Sequence, residues 1–131
     1  MSDNISISIP TKSEYVSVAR LTASVLANKI GFDIEEIEDI KVAVGEACNN
    51  AVLHGKCNDT YDINFIIKED SFQIEVTDCG SGFKLDEYKE PDLENPKESG
   101  LGLFIMKSLM DDVEIKSTTG KGSYIKLIKN L

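Results

Sequence analysis

Near the N-terminus Ile5, Ile7 and Ile9 alternate with polar neighbours. This is the period-2 pattern of a half-buried strand, and Pro10 ends it. From Thr11 to about Ile30 the period lengthens: Val18, Leu21, Val25 and Leu26 recur at helical spacing, and Gly31 supplies a stop signal. Asp33 offers an N-cap for the next helix, with Glu36 placed to complete a capping box. Ile34, Ile37, Ile40, Val44, Ala47 and Ala51 then follow in steps of three and four. They predict a second helix, closed by Gly55 as a C-cap.

Strand patterns return at 61–68 and 72–78, separated only by Glu69-Asp70-Ser71. So short a connection predicts an antiparallel hairpin. The stretch 84–99 holds Pro91, Pro96 and many charged side chains without a period, which predicts a mobile loop. A third helix is expected over about 102–110. Strands at 113–117 and 123–128 flank the turn Thr119-Gly120-Lys121-Gly122. Helices stacked on one face of a mixed, mostly antiparallel sheet give an α+β fold, a two-layer sandwich. With no repeat and no linker, residues 1–131 read as a single domain.

Composition narrows the function. The chain has 131 residues, 41% hydrophobic, enough for a packed core. Its net charge of -9 disfavours nucleic acid and anionic membranes as partners. No apolar run is long enough to span a bilayer, and the N-terminus lacks a signal-peptide pattern. Cys48, Cys57 and Cys79 form no CxxC pair and His54 is the single histidine, which argues against a zinc site. Reduced thiols and a cytoplasmic location are expected.

The candidate chemistry begins on the second helix. Glu46 and Asn50 lie four apart and share a face. An asparagine oxygen is a hard neutral ligand suited to Mg²⁺, which takes its remaining ligands from water and nucleotide phosphates. A carboxylate beside it can accept the proton of an attacking hydroxyl. Asp78 ends a strand in line with Ile74 and Val76, so it needs a polar partner when buried, and the exocyclic amine of adenine is one. Gly80 and Gly82 leave space for a flat ring. Gly100 and Gly102 precede a helix whose backbone N–H groups could cradle phosphate, although no P-loop Gly-Lys-Ser/Thr follows. Each signal alone is weak; their order and spacing together are specific.

In that order and spacing the chain resembles the GHKL ATPase superfamily. Glu46 to Gly55 looks like its N box, Asp78 to Gly82 its G1 box and Gly100 to Leu103 its G2 box. Gly120-Lys121-Gly122-Ser123 is similar to its final glycine-threonine element, with Ser123 for threonine. Within the superfamily the chain is most similar to bacterial anti-sigma factors that are serine-protein kinases. Glu14-Tyr15-Val16 with Arg20-Leu21-Thr22, Glu36 to Lys41 running into Glu46 to Ala51, and Leu109 to Val113 carry that likeness.

The resemblance implies roles. Glu46 would be the general base, Asn50 the Mg²⁺ ligand and Asp78 the adenine anchor. Gly80 and Gly82 would shape the base pocket; Gly100, Leu101, Gly102 and Leu103 would hold the phosphates of ATP. The stretch 84–99 would be a lid. The partners would be a sigma factor, which is sequestered, and an anti-anti-sigma protein, phosphorylated on serine; the protein would be a homodimer. Sensor histidine kinases of the superfamily usually carry asparagine where Glu46 stands, so Glu46 favours a hydroxyl acceptor. Two alternatives stay open: a stand-alone histidine-kinase-like ATPase domain, and a nucleotide-gated binding module without significant kinase activity. Arg20, the only arginine in the chain, is a candidate partner contact.

Overall fold

The structure is a computed structural model that describes residues 2–54, 59–78, 101–118 and 122–131. The element order is β1 (Asp3–Pro10), a 3-10 turn (Ser13–Tyr15), α1 (Val16–Ile30), α2 (Ile34–His54), β2 (Thr60–Ile67), β3 (Ser71–Asp78), α3 (Leu101–Leu109), β4 (Asp112–Thr118) and β5 (Gly122–Asn130). The strands form one sheet in the order β1-β2-β3-β5-β4, and every pairing is antiparallel. The three helices lie on one face of it, as the two-layer reading expects. The C-cap at Gly55, the lid at 84–99, and Thr119, Gly120 and Lys121 of the last turn lie outside the described residues.

Register explains the core. Ile63, Val76, Ile125 and Ile115 stand opposite one another across β2, β3, β5 and β4, and Phe65, Ile74, Leu127 and Val113 form the next row. Period-2 alternation turns both rows toward the helices, where Ile40, Val44 and Met106 meet them fully buried. The Phe65 and Phe72 rings stack with centroids 6.1 Å apart. The opposite face is polar: Ser6 donates to Asn64 at 3.0 Å, Asn64 donates to Glu75 at 3.1 Å, and Tyr124 donates to Glu75.

α1 begins later than the sequence pattern expects. The segment after Thr11 opens as a 3-10 turn, and the α-helix begins at Val16. Its apolar stripe also faces the wrong way for a core: Val18, Leu21 and Val25 are exposed and Leu26 is half-buried, while Val16, Ala19, Ala23 and Ala27 are buried. α1 packs against α2, where the buried Gly45 lies beneath Arg20 of α1. Small residues let two helix axes approach closely, and a large side chain in the seam would hold them apart.

The link between the helices follows its local chemistry. Gly31 takes φ 113° and its N–H reaches the Ala27 carbonyl, a left-handed C-cap that glycine adopts without strain. The capping box forms as expected: Glu36 N–H donates to Asp33 Oδ1 at 2.8 Å, and Asp33 N–H donates to Glu36 Oε1 at 3.1 Å. Ile34 does not join the buried stripe of α2. It is 81% exposed, because it sits in the first turn before the helix reaches the core.

Candidate functional site

α2 crosses the middle of the helical layer, in contact with α1 on one side and α3 on the other. Glu46 and Asn50 are both half-buried on it, and Asn49 between them is exposed. The side toward α1 is a cavity of about 420 Å³ lined by Glu14, Ser17, Arg20, Gly45, Glu46 and Asn49 among others. The side toward α3 is the first turn of that helix. An added β-carbon at Gly102 would stand 2.7 Å from Glu46 Oε2. The Glu46 carboxylate therefore lies between an open groove and the N-terminus of α3.

Arg20 enters the same groove from α1. It is exposed, and its side chain lies over Gly45, where an added β-carbon would meet Arg20 Cδ at 3.3 Å. The structure thus places the candidate base and the candidate partner contact in one cavity. Gly45, Glu14 and Asn49 also line this cavity, which the sequence pattern did not bring together. The signal for Gly45 is present in the chain, since a glycine inside a helix costs about 1 kcal/mol against alanine and calls for a packing reason.

Asp78 is 7% exposed at the end of β3. Its register partner on β5 is Ser123, also buried, whose hydroxyl donates to Asp78 Oδ2 at 2.6 Å. A buried carboxylate needs such partners, and Ser123 fixes the plane in which the remaining acceptor directions lie. Gly122, which begins β5, has φ 101°. Asp78 and Ser123 are far apart in sequence, and their joint site is a product of the β3–β5 pairing. Gly80, Gly82 and Gly100 lie outside the described residues.

Of the phosphate-loop candidates, Leu101 and Gly102 open α3, while Leu103 turns its side chain into the core and is 9% exposed. α3 is held at its far end: Met106 and Met110 are buried, and Lys129 Nζ donates to the Leu109 carbonyl at 2.6 Å. A cation at that end satisfies an orphan acceptor and suits the helix dipole. The N–H groups of the first turn have no partner within the helix, as at any helix start.

Among the described residues no group of three or more His, Cys, Asp or Glu could hold a metal ion. A Mg²⁺ would need only the amide oxygen of Asn50 from this helix, with phosphate and water supplying the rest. Cys48, midway between Glu46 and Asn50 on α2, is a buried free thiol beside Tyr61. Burial pushes its pKa up to about 12, so it is an inert core group and not a nucleophile. His54 stands half-buried in the last turn of α2, away from the groove lining.

The chain resembles known proteins over most of its length. The profile of the histidine kinase-like ATPase domain matches residues 9–129. The chain is 42% identical over 127 residues to the serine-protein kinase RsbW of Halalkalibacterium halodurans, covering 90% of this chain and 78% of that one. It is 45% identical over 129 residues to the RsbW of Oceanobacillus iheyensis, covering 90% and 82%. Among solved structures, the RsbU and RsbW domains of a Mycobacterium tuberculosis protein superpose with a TM-score of 0.72 at 20% identity, over 97% of this chain and 31% of that one. The histidine kinase domain of an Erythrobacter litoralis blue-light activated kinase gives 0.60 at 19% identity, over 94% and 62%. At those identities the two structures speak for the fold alone.

Proposed function

The chain belongs to the histidine kinase-like ATPase domain family, and from that premise we propose that it is an ATP-dependent serine-protein kinase. Its acceptor is a serine of an anti-anti-sigma protein, and it also sequesters a sigma factor. One observation carries the reading: the Glu46 carboxylate stands between a groove open to a partner and the first turn of α3. A hydroxyl presented in the groove can give its proton to Glu46 as it attacks a phosphoryl group held at α3. A histidine acceptor would not need that base.

The other residues serve positioning. Asp78, oriented by Ser123, accepts the adenine amine. Gly80 and Gly82 shape the base pocket. The backbone of Gly100, Leu101, Gly102 and Leu103 cradles the phosphates. Mg²⁺, held through Asn50, would neutralise charge on the transferring phosphate. By the resemblance, residues 84–99 would be the lid of the nucleotide site. Arg20 anchors the partner beside Glu46, where a guanidinium can make planar contacts that lysine cannot.

The relatives' shared name, serine-protein kinase, supports the acceptor type. The sigma-factor and anti-anti-sigma partners rest on the resemblance of Glu14 to Val16, Arg20 to Thr22 and Leu109 to Val113. A homodimer belongs to the same reading, supported by the outward stripe Val18, Leu21 and Val25, which the fold leaves exposed. No described helix is long and apolar enough to cross a membrane, and a cytoplasmic location agrees with that. Incubating the protein with Mg-ATP and an anti-anti-sigma protein tests the proposal: phosphoserine on the partner supports it, and no transfer rejects it.

A further inference from the structure

We propose that Gly102 is a positioning residue for Glu46: the missing side chain at 102 makes the space in which the candidate base rests. This rests on Glu46 being the base. A β-carbon at 102 would stand 2.7 Å from Glu46 Oε2 and 3.7 Å from its Cδ, and among the described residues it meets nothing else within 4 Å. Carbon–oxygen contacts rarely fall below about 3.3 Å. The carboxylate would therefore have to retreat by roughly half an ångström or more.

The displacement falls on Glu46 and not on the fold. Glu46 Oε2 ends a flexible side chain, whereas α3 is pinned by Leu103, Met106, Met110 and the Lys129–Leu109 bond. α3 cannot yield without disturbing the core, so the carboxylate does. Alanine is also the better helix former, and it keeps the N–H that phosphate binding at 102 would use. Local stability therefore favours alanine at this position, and among the described residues the space it would remove is used by Glu46. A catalytic group misplaced by about 1 Å can cost on the order of 10²-fold in rate.

Gly102→Ala separates this role from phosphate cradling. Mg-ADP affinity by calorimetry should stay within about threefold, the melting temperature should hold or rise, and kcat for phosphorylation should fall about tenfold or more. In a Glu46→Asp background the shorter acid does not reach the new methyl group. Gly102→Ala should then add less than about a twofold loss, the non-additivity expected of two residues acting through one contact. The Glu46 carboxyl ¹³C resonance should shift in Gly102→Ala whether or not phosphate is transferred. Wild-type kcat in Gly102→Ala, equal losses of affinity and kcat, a full further loss in the Glu46→Asp background, or an unmoved Glu46 resonance would each overturn the proposal. Absence of transfer by the wild-type protein would count against the kinase reading, and the resonance would still decide this one.

Discussion

Arg20 of α1 lies across Gly45, the one glycine inside α2, so closely that an added β-carbon would meet its Cδ at 3.3 Å. Gly45 immediately precedes Glu46, so the arginine and the carboxylate reach one cavity from two helices. Arg20→Ala should leave ATP affinity intact and weaken capture of the sigma factor or the anti-anti-sigma protein by on the order of tenfold or more, the scale of an arginine anchor. Gly45→Ala should push Arg20 aside and weaken capture in the same direction, while adding up to about 1 kcal/mol of helix stability. Calorimetry with each partner and a melting curve check both. Unchanged affinities would leave Arg20 a solvated charge.

The Asp78–Ser123 pair sets base choice. ATP should bind well over tenfold more tightly than GTP, because guanine presents a carbonyl oxygen to a buried carboxylate. Ser123→Ala removes the donor that holds Asp78 Oδ2 and should cost about 1–3 kcal/mol, shared between stability and ATP binding. Equilibrium competition between the two nucleotides reads the first effect, and equal competition would refute the adenine contact.

The α1 seam predicts an inversion of ordinary expectation for a helix. Ala23→Leu should destabilise by about 1–3 kcal/mol, since Ala23 is fully buried against its neighbours. Leu21→Ser, on the exposed face, should change monomer stability by no more than about 0.5 kcal/mol and loosen self-association. Urea melts and sedimentation measure the two. A larger loss from Leu21 than from Ala23 would contradict the observed face of α1.

Which helix face is buried was the part of the fold least legible in the chain. Apolar side chains at 18, 21 and 25 carry a helical period as strong as any core stripe. The period says that a face exists but not what covers it. Alanine carries little hydrophobic signal, so the seam of Ala19, Ala23 and Ala27 showed only through packing. The strands, the capping box and the Gly31 stop were legible because alternation and cap chemistry are local. Glu46, Asn50 and Asp78 were legible as residue types at set spacings. The Ser123–Asp78 bond was not, because the β3–β5 register makes it, and neither was the Arg20–Gly45 contact between two helices.

Cys48 gives a pH-dependent prediction. Its ordinary value of 9.0 is pushed to about 12 by burial. The unfolded thiol loses its proton first, so the folded form holds its full advantage below about pH 9 and loses it progressively as pH rises toward 12. Burial moves Tyr61 in the same direction. Iodoacetamide at pH 8 should leave Cys48 unmodified in the native protein and label it in urea, as read by peptide mass mapping. Ready native labelling would show that the thiol is accessible.

In the proposed reaction Glu46 takes the proton of a serine hydroxyl while Asn50 and the start of α3 hold Mg-ATP. The most direct measurement is the rate of γ-phosphate transfer to an anti-anti-sigma protein by the wild-type protein and by Glu46→Gln, with Mg-ATP affinity measured on the same samples. Unchanged affinity and a loss of roughly 10²-fold or more in rate are expected, the scale of a general base. Near wild-type transfer by Glu46→Gln, or transfer to a residue other than serine, would contradict it.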